Sequence, residues 1–174
     1  MCISTTAFRR DLFDQVGGFD PRVGSIFDVD LFFRICQASG LPVRTLGESG
    51  GRYYPLRGST WTRQYRSGEG TELFLNWIHL RERDVGSETI QRVTRALARR
   101  ARMAARASLL EGNSEAAVRN FAVAIECSTG HERLKNQVGR AVALLPAPIA
   151  RNAQRAYASV QSARSQRVRG NAIR

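Results

Sequence analysis

The chain changes character at Gly86–Ser87, and that break limits what it can fold into. Residues 1–87 carry 11 arginines against 10 acidic side chains, whereas residues 88–174 carry 16 basic against 5 acidic. The front mixes aromatics, glycines and prolines. The back is rich in Ala and Arg, both strong helix formers, and reads as helix almost throughout. A chain of 174 residues holds one good domain or two small ones, and a hydrophobic fraction of 43% argues against wholesale disorder.

A net charge of +12 suits an anionic membrane surface or nucleic acid. Lys135 is the single lysine among 27 basic residues, so a bias toward arginine accounts for part of the excess. No nucleic-acid reading module accompanies the charge, and no nucleic-acid partner is expected. Cys2, Cys36 and Cys127 are odd in number and far apart, which fits a reducing cytosol. His79 and His131 lack neighbours at ligand spacing, so no metal site is expected among them. No apolar run approaches the ~18 residues a membrane span needs, and the first residues do not form a signal peptide. The expected location is cytoplasmic, with peripheral attachment at the inner membrane face open to the basic half.

Periodicity places a helix over residues 7–16, ended by Gly17-Gly18. A second helix follows Ser25, which stands three residues before Asp28 in a capping-box arrangement. Its stripe of Val29, Phe32, Phe33 and Cys36, widened by Leu31 and Ile35, predicts a well-buried helix closed by Gly40. Residues 42–46 and 52–56 read as short strands, and residues 69–83 as a helix. Past the break, Ile90, Val93, Leu97, Ala101 and Ala104 mark one long helix, interrupted by Gly112-Asn113 before a second over 114–126. One such hairpin is too little for a stacked repeat array, which needs about three copies, so a plain helical hairpin is expected. Further helices are expected over 131–145 and from 149 to about 163, with a disordered tail over 164–174.

The most informative stretch is Phe8 to Arg34. It contains Val16-Gly17-Gly18-Phe19-Asp20-Pro21 and then Asp28-Val29-Asp30-Leu31 through Arg34. In order and spacing this resembles the acceptor-side, C-terminal part of family-two glycosyltransferases of the GT-A fold, where a V-G-G-F-D segment precedes E-D-x-D-L-x-x-R. Gly40-Leu41-Pro42-Val43 fits the family's next turn and strand, and Tyr54-Pro55-Leu56-Arg57-Gly58-Ser59 a later motif. The resemblance covers about residues 2–85.

The resemblance implies an α/β fold class: a partial GT-A-like, nucleotide-diphospho-sugar transferase unit over residues 1–86. An all-α basic helical region would follow over 87–163. The implied activity is inverting transfer of a sugar from a nucleotide-diphospho-sugar donor to a glycan or lipid-linked acceptor, as in polysaccharide biosynthesis. Asp28 matches the family's general base. Gly17, Gly18, Asp30 and Tyr54 match positions near the acceptor, with Asp30 orienting it or bracing the loop. Arg57 and Ser59 match positions near the donor phosphates. Mg²⁺ or Mn²⁺ would serve the complete enzyme, held mainly by residues outside this chain. Asp28 and Asp30 are not read as a metal-binding pair, because residues i and i+2 on a helix point apart.

Two departures stand out: Phe27 replaces the family's Glu, and Arg57 stands where a metal-associated His is common. The family's donor-binding half has no counterpart in these residues, so the chain reads as an incomplete enzyme. The alternative expectation is a non-catalytic adaptor whose basic helices bind a protein partner or an anionic membrane surface.

Overall fold

The computed structural model describes residues 7–40, Gln64 and residues 67–171, with side chains to Ser159. Every described element is helical. Helix α1 spans Arg10–Gln15, a 3₁₀ segment Pro21–Ile26, α2 Phe27–Ser39, α3 Glu69–Arg81, α4 Ser87–Glu111, α5 Ser114–Glu126, α6 Gly130–Ala143 and α7 Ala147–Asn171.

The α/β expectation for residues 1–86 is therefore corrected: no strand occurs among the described residues. The two segments read as strands, 42–46 and 52–56, lie outside them. The physical reason is visible in the packing. Leu75, Trp77 and Ile78 of α3 bury themselves against Leu97, Ala98 and Ala101 of α4 and Val123 and Ala124 of α5, with Val23 and Ile26 of the 3₁₀ segment in the same cluster. The apolar stripes of the front half thus find helical partners from the back half, helix against helix. Gly86, the expected boundary, is the N-cap residue of α4, and this cluster draws residues from both sides of it.

The α4–α5 interface is built from small side chains. Ala101, Ala104 and Ala105 of α4 are fully buried, as are Ala116, Ala117 and Ala124 of α5. Small residues let two backbones approach closely, and alanine adds helix propensity at no rotamer cost. Asn113 caps α5, its side chain accepting from Ala116 N at 3.1 Å. Buried Asn120 ties α5 to α3, accepting from Thr71 Oγ1 at 2.7 Å and donating to Ala116 O at 2.9 Å.

A second cluster joins Ala105, Leu109, Ala117, Phe121, Ala143 and Ala150 and carries α6 and α7. The backbone of α7 stays helical to Asn171, through most of the stretch expected to be disordered. Its Ala, Arg and Gln residues favour helix, and only Gly170 interrupts them. No helix among the described residues is long and apolar enough to cross a membrane.

Gly139 sets the spacing of α6 on α5. A Cβ there would lie 2.5 Å from two ring atoms of Phe121, which is itself buried. Gly139→Ala gains about 1 kcal/mol of helix propensity but incurs an overpacking cost of roughly 1–3 kcal/mol. Net destabilisation of about 1 kcal/mol is expected in urea unfolding, against the stabilisation an exposed Gly→Ala change would give.

Candidate functional site

The loop after α1 is made by two consecutive glycines with positive φ, Gly17 at 74° and Gly18 at 68°. Few other residues adopt that conformation twice in succession. Gly18 N donates to Phe13 O at 2.9 Å and Gly17 N to Asp14 O at 3.1 Å, which closes the end of α1. Asp20 then caps the 3₁₀ segment by accepting from Arg22 N at 3.0 Å.

Arg34 holds this loop from α2. It donates through Nη1 to Val16 O at 2.5 Å and through Nη2 to Gly18 O at 2.6 Å, while Nε reaches Asp30 Oδ2 at 2.7 Å. Asp30 is fully buried and accepts from two further donors on α3. Trp77 Nε1 lies 2.8 Å and Arg81 Nε 2.7 Å from its Oδ1, and Arg81 Nη2 lies 3.0 Å from its Oδ2. Arg81, itself buried, also donates to Asp20 Oδ2 at 2.7 Å. Burial alone would raise the Asp30 carboxyl, but the donors from Arg81, Arg34 and Trp77 outweigh it and hold the group below the usual carboxylate range. Asp20 is likewise held low, chiefly by its hydrogen bond from Arg22.

Asp28 is arranged differently. It lies in the first turn of α2, half-buried, with Oδ1 accepting from Val29 N at 2.8 Å. Among the described residues no cation pairs with it. The expected capping box is not formed: Ile26 is the N-cap residue, and Ser25 Oγ donates to Gln64 Oε1 at 2.9 Å. Partly exposed aromatic rings run up to this point. Phe13 meets Phe19 at 5.5 Å between centroids, and Phe19 meets Phe27 edge-to-face at 5.3 Å. Phe19 and Phe27 are 46% and 40% exposed, so an apolar ledge lies next to Asp28 in the chain.

Of the residues singled out from sequence, Gly17, Gly18, Asp28 and Asp30 fall within this one unit. Asp30, expected near an acceptor, has both oxygens occupied in the interior, so of its two expected roles only bracing the loop is compatible with its surroundings. Tyr54, Arg57 and Ser59 lie outside the described residues. The helix read over residues 69–83 has Trp77 on its buried side by spacing, but neither the bonds of Trp77 and Arg81 to Asp30 nor the Phe19–Phe27 ledge could be read from sequence. The only available signal was the Asp30–Arg34 spacing of four, which marks a helical ion pair.

The Mg²⁺ or Mn²⁺ that the resemblance implies does not fit these side chains. Asp30 is committed to arginines and Trp77, and no group of three or more ligating side chains occurs among the described residues. Cys127 is buried, its thiol pushed up to about 11 chiefly by desolvation, which leaves it unreactive at neutral pH. Comparison with known proteins finds no family model, no curated protein and no solved structure that matches this chain.

The ion network makes stability depend on pH in a defined direction. A carboxyl held low in the fold contributes fully above its unfolded value of about 4 and loses that contribution as pH falls through the folded value. Asp30→Asn leaves Arg81 and Arg34 short of their buried counter-charge and is expected to cost about 3–5 kcal/mol at pH 7. Urea unfolding from pH 7 down to pH 2 checks both effects. The native chain weakens below about pH 4, and the acid-sensitive part contributed by Asp30 is missing in the variant.

Proposed function

We propose that residues 8–34 form the acceptor-side segment of an inverting sugar transfer, with Asp28 as the base. The observation that carries this reading is the division of labour among the motif carboxylates. Asp20 and Asp30 are spent on arginines inside the helical unit, while Asp28 alone of the three pairs with no cation among the described residues. A base needs a carboxylate that is ionised, reachable and firmly placed. The Arg34-braced loop and the bond from Val29 N to Oδ1 place the Asp28 carboxylate.

In this reading Asp28 removes the proton from an acceptor hydroxyl as that oxygen bonds to the anomeric carbon of the donor. The bond from that carbon to the nucleoside diphosphate breaks on the opposite side, which inverts the configuration. Phe19 and Phe27 offer apolar faces on which a sugar ring of the acceptor can lie. The motif order from Val16 to Arg34 supports the same reading through its resemblance to family-two glycosyltransferases. The cytoplasm, where nucleotide-sugar donors are supplied, is the matching compartment.

The test follows release of nucleoside diphosphate from UDP-, GDP- and dTDP-sugars by the chain in the presence of glycan and lipid-linked acceptors. Asp28→Asn is expected to lower turnover by about 10²–10⁴-fold, the range for removing a general base, with an unchanged unfolding midpoint. Unaltered turnover in that variant defeats the reading of Asp28 as the base.

A further inference from the structure

Away from Asp28, helices α4 to α7 enclose a groove of about 350 Å³. Its apolar lining includes Leu109, Phe121, Leu134, Val138 and Val142. Leu134 and Val138, one turn apart on α6, are 56% and 57% exposed, which is unusual for aliphatic side chains with an apolar recess beside them. The polar side chains on its wall are Arg106, His131 and Lys135 with neutral Tyr157 and Gln154, and no carboxylate lines it among the described residues. Arg106 leans on the Tyr157 ring, 4.6 Å from its centroid, and donates to Tyr157 Oη through Nη2 at 3.1 Å. Its other guanidinium donors have no hydrogen-bond partner among the described residues. Lys135 Nζ is shared with Glu132 at 2.8 Å, outside the lining.

We propose that this groove binds the hydrocarbon tail of a single-chain amphiphile whose phosphate-like anionic head rests on Arg106 and Lys135. Three observations select that occupant. The volume sits near the lower end of the roughly 300–1,000 Å³ typical of small-ligand pockets, which suits one chain and is too small for a partner helix. The lining is apolar with its polar groups confined to few positions, the layout expected where tail and head are recognised separately. The charge is complementary to an anion, because Arg106 keeps guanidinium donors to spare, no carboxylate lines the groove among the described residues apart from Glu132 beyond its rim on Lys135, and the surrounding half of the chain is strongly basic. This inference stands apart from the sugar-transfer reading and does not need Asp28.

The test is calorimetric titration of the whole chain with dodecyl phosphate below its micelle concentration, beside inorganic phosphate and dodecyl maltoside. Dodecyl phosphate is expected to bind more tightly than either, with affinity falling as salt rises. Val138→Glu puts a charge at an already exposed position in the lining and is expected to weaken binding by roughly tenfold or more. Arg106→Gln is expected to weaken it several-fold and flatten its salt dependence. Arg95→Gln removes the same charge from the exposed face of α4, about 16 Å along the helix, and is expected to change nothing. Unfolding midpoints for each variant separate lost binding from lost folding.

Equal affinity for inorganic phosphate overturns the proposal, because charge alone then suffices. So does indifference to Val138→Glu, which moves the binding elsewhere. Binding to anionic vesicles but not to monomeric dodecyl phosphate reduces the effect to surface charge. Binding of an acidic amphipathic peptide in its place assigns the groove to a protein partner.

Discussion

The structure turns on the buried carboxylate of Asp30. Moving one carboxylate and one guanidinium out of water costs several kcal/mol per ion, and the attraction between them compensates only when every polar atom is well paired. Here Arg81, Arg34 and Trp77 supply four hydrogen bonds to two oxygens. The same arginines continue outward to Asp20 and to the carbonyls of Val16 and Gly18. One charge thus joins the end of α1, the glycine loop, the 3₁₀ segment, α2 and α3. An apolar residue at position 30 would fill the space without specifying that arrangement, and α1, which buries none of its own residues, has beside it the ring contacts of Phe13 with Phe8 and Phe19.

That network changes what the motif signifies. Gly18, Asp20, Asp30 and Arg34 are all engaged in holding the loop and helices together, so most of the residues that carry the resemblance are explained by architecture. Asp28 is the exception. Its position in the first turn of α2 follows from the same framework, yet its carboxylate makes no ion pair among the described residues. A residue that the fold positions but does not use is the kind on which a chemical role can rest.

The helices were legible because their local signals agree with their packing. Gly112-Asn113 separates α4 from α5, where Gly112 adopts the left-handed conformation and Asn113 caps the next helix. Leu97, Ala101 and Ala104, placed on the inner face by spacing alone, are buried. What sequence did not yield was long-range pairing. Asp30 and Arg34 are four residues apart and visible as a pair, but Arg81 lies 51 residues from Asp30 and reads only as the last turn of a helix. The capping box failed for a related reason: Ser25 bonds to distant Gln64, and the chain enters α2 directly from a 3₁₀ turn. The α/β expectation came from resemblance together with two short segments outside the described residues, whereas the described apolar stripes pack helix on helix.

The charge asymmetry read at the outset acquires a spatial meaning. In the front half the acidic side chains largely match the arginines, and Asp20 and Asp30 neutralise guanidinium groups in the interior. In the back half few carboxylates are available, and Glu132 already serves both Arg102 and Lys135, which hold its carboxyl down to about 2. The surplus cations must therefore face solvent on helices whose buried sides are mostly alanine. At physiological salt such fields fade over about 8 Å, so the basic helices act chiefly on what touches them.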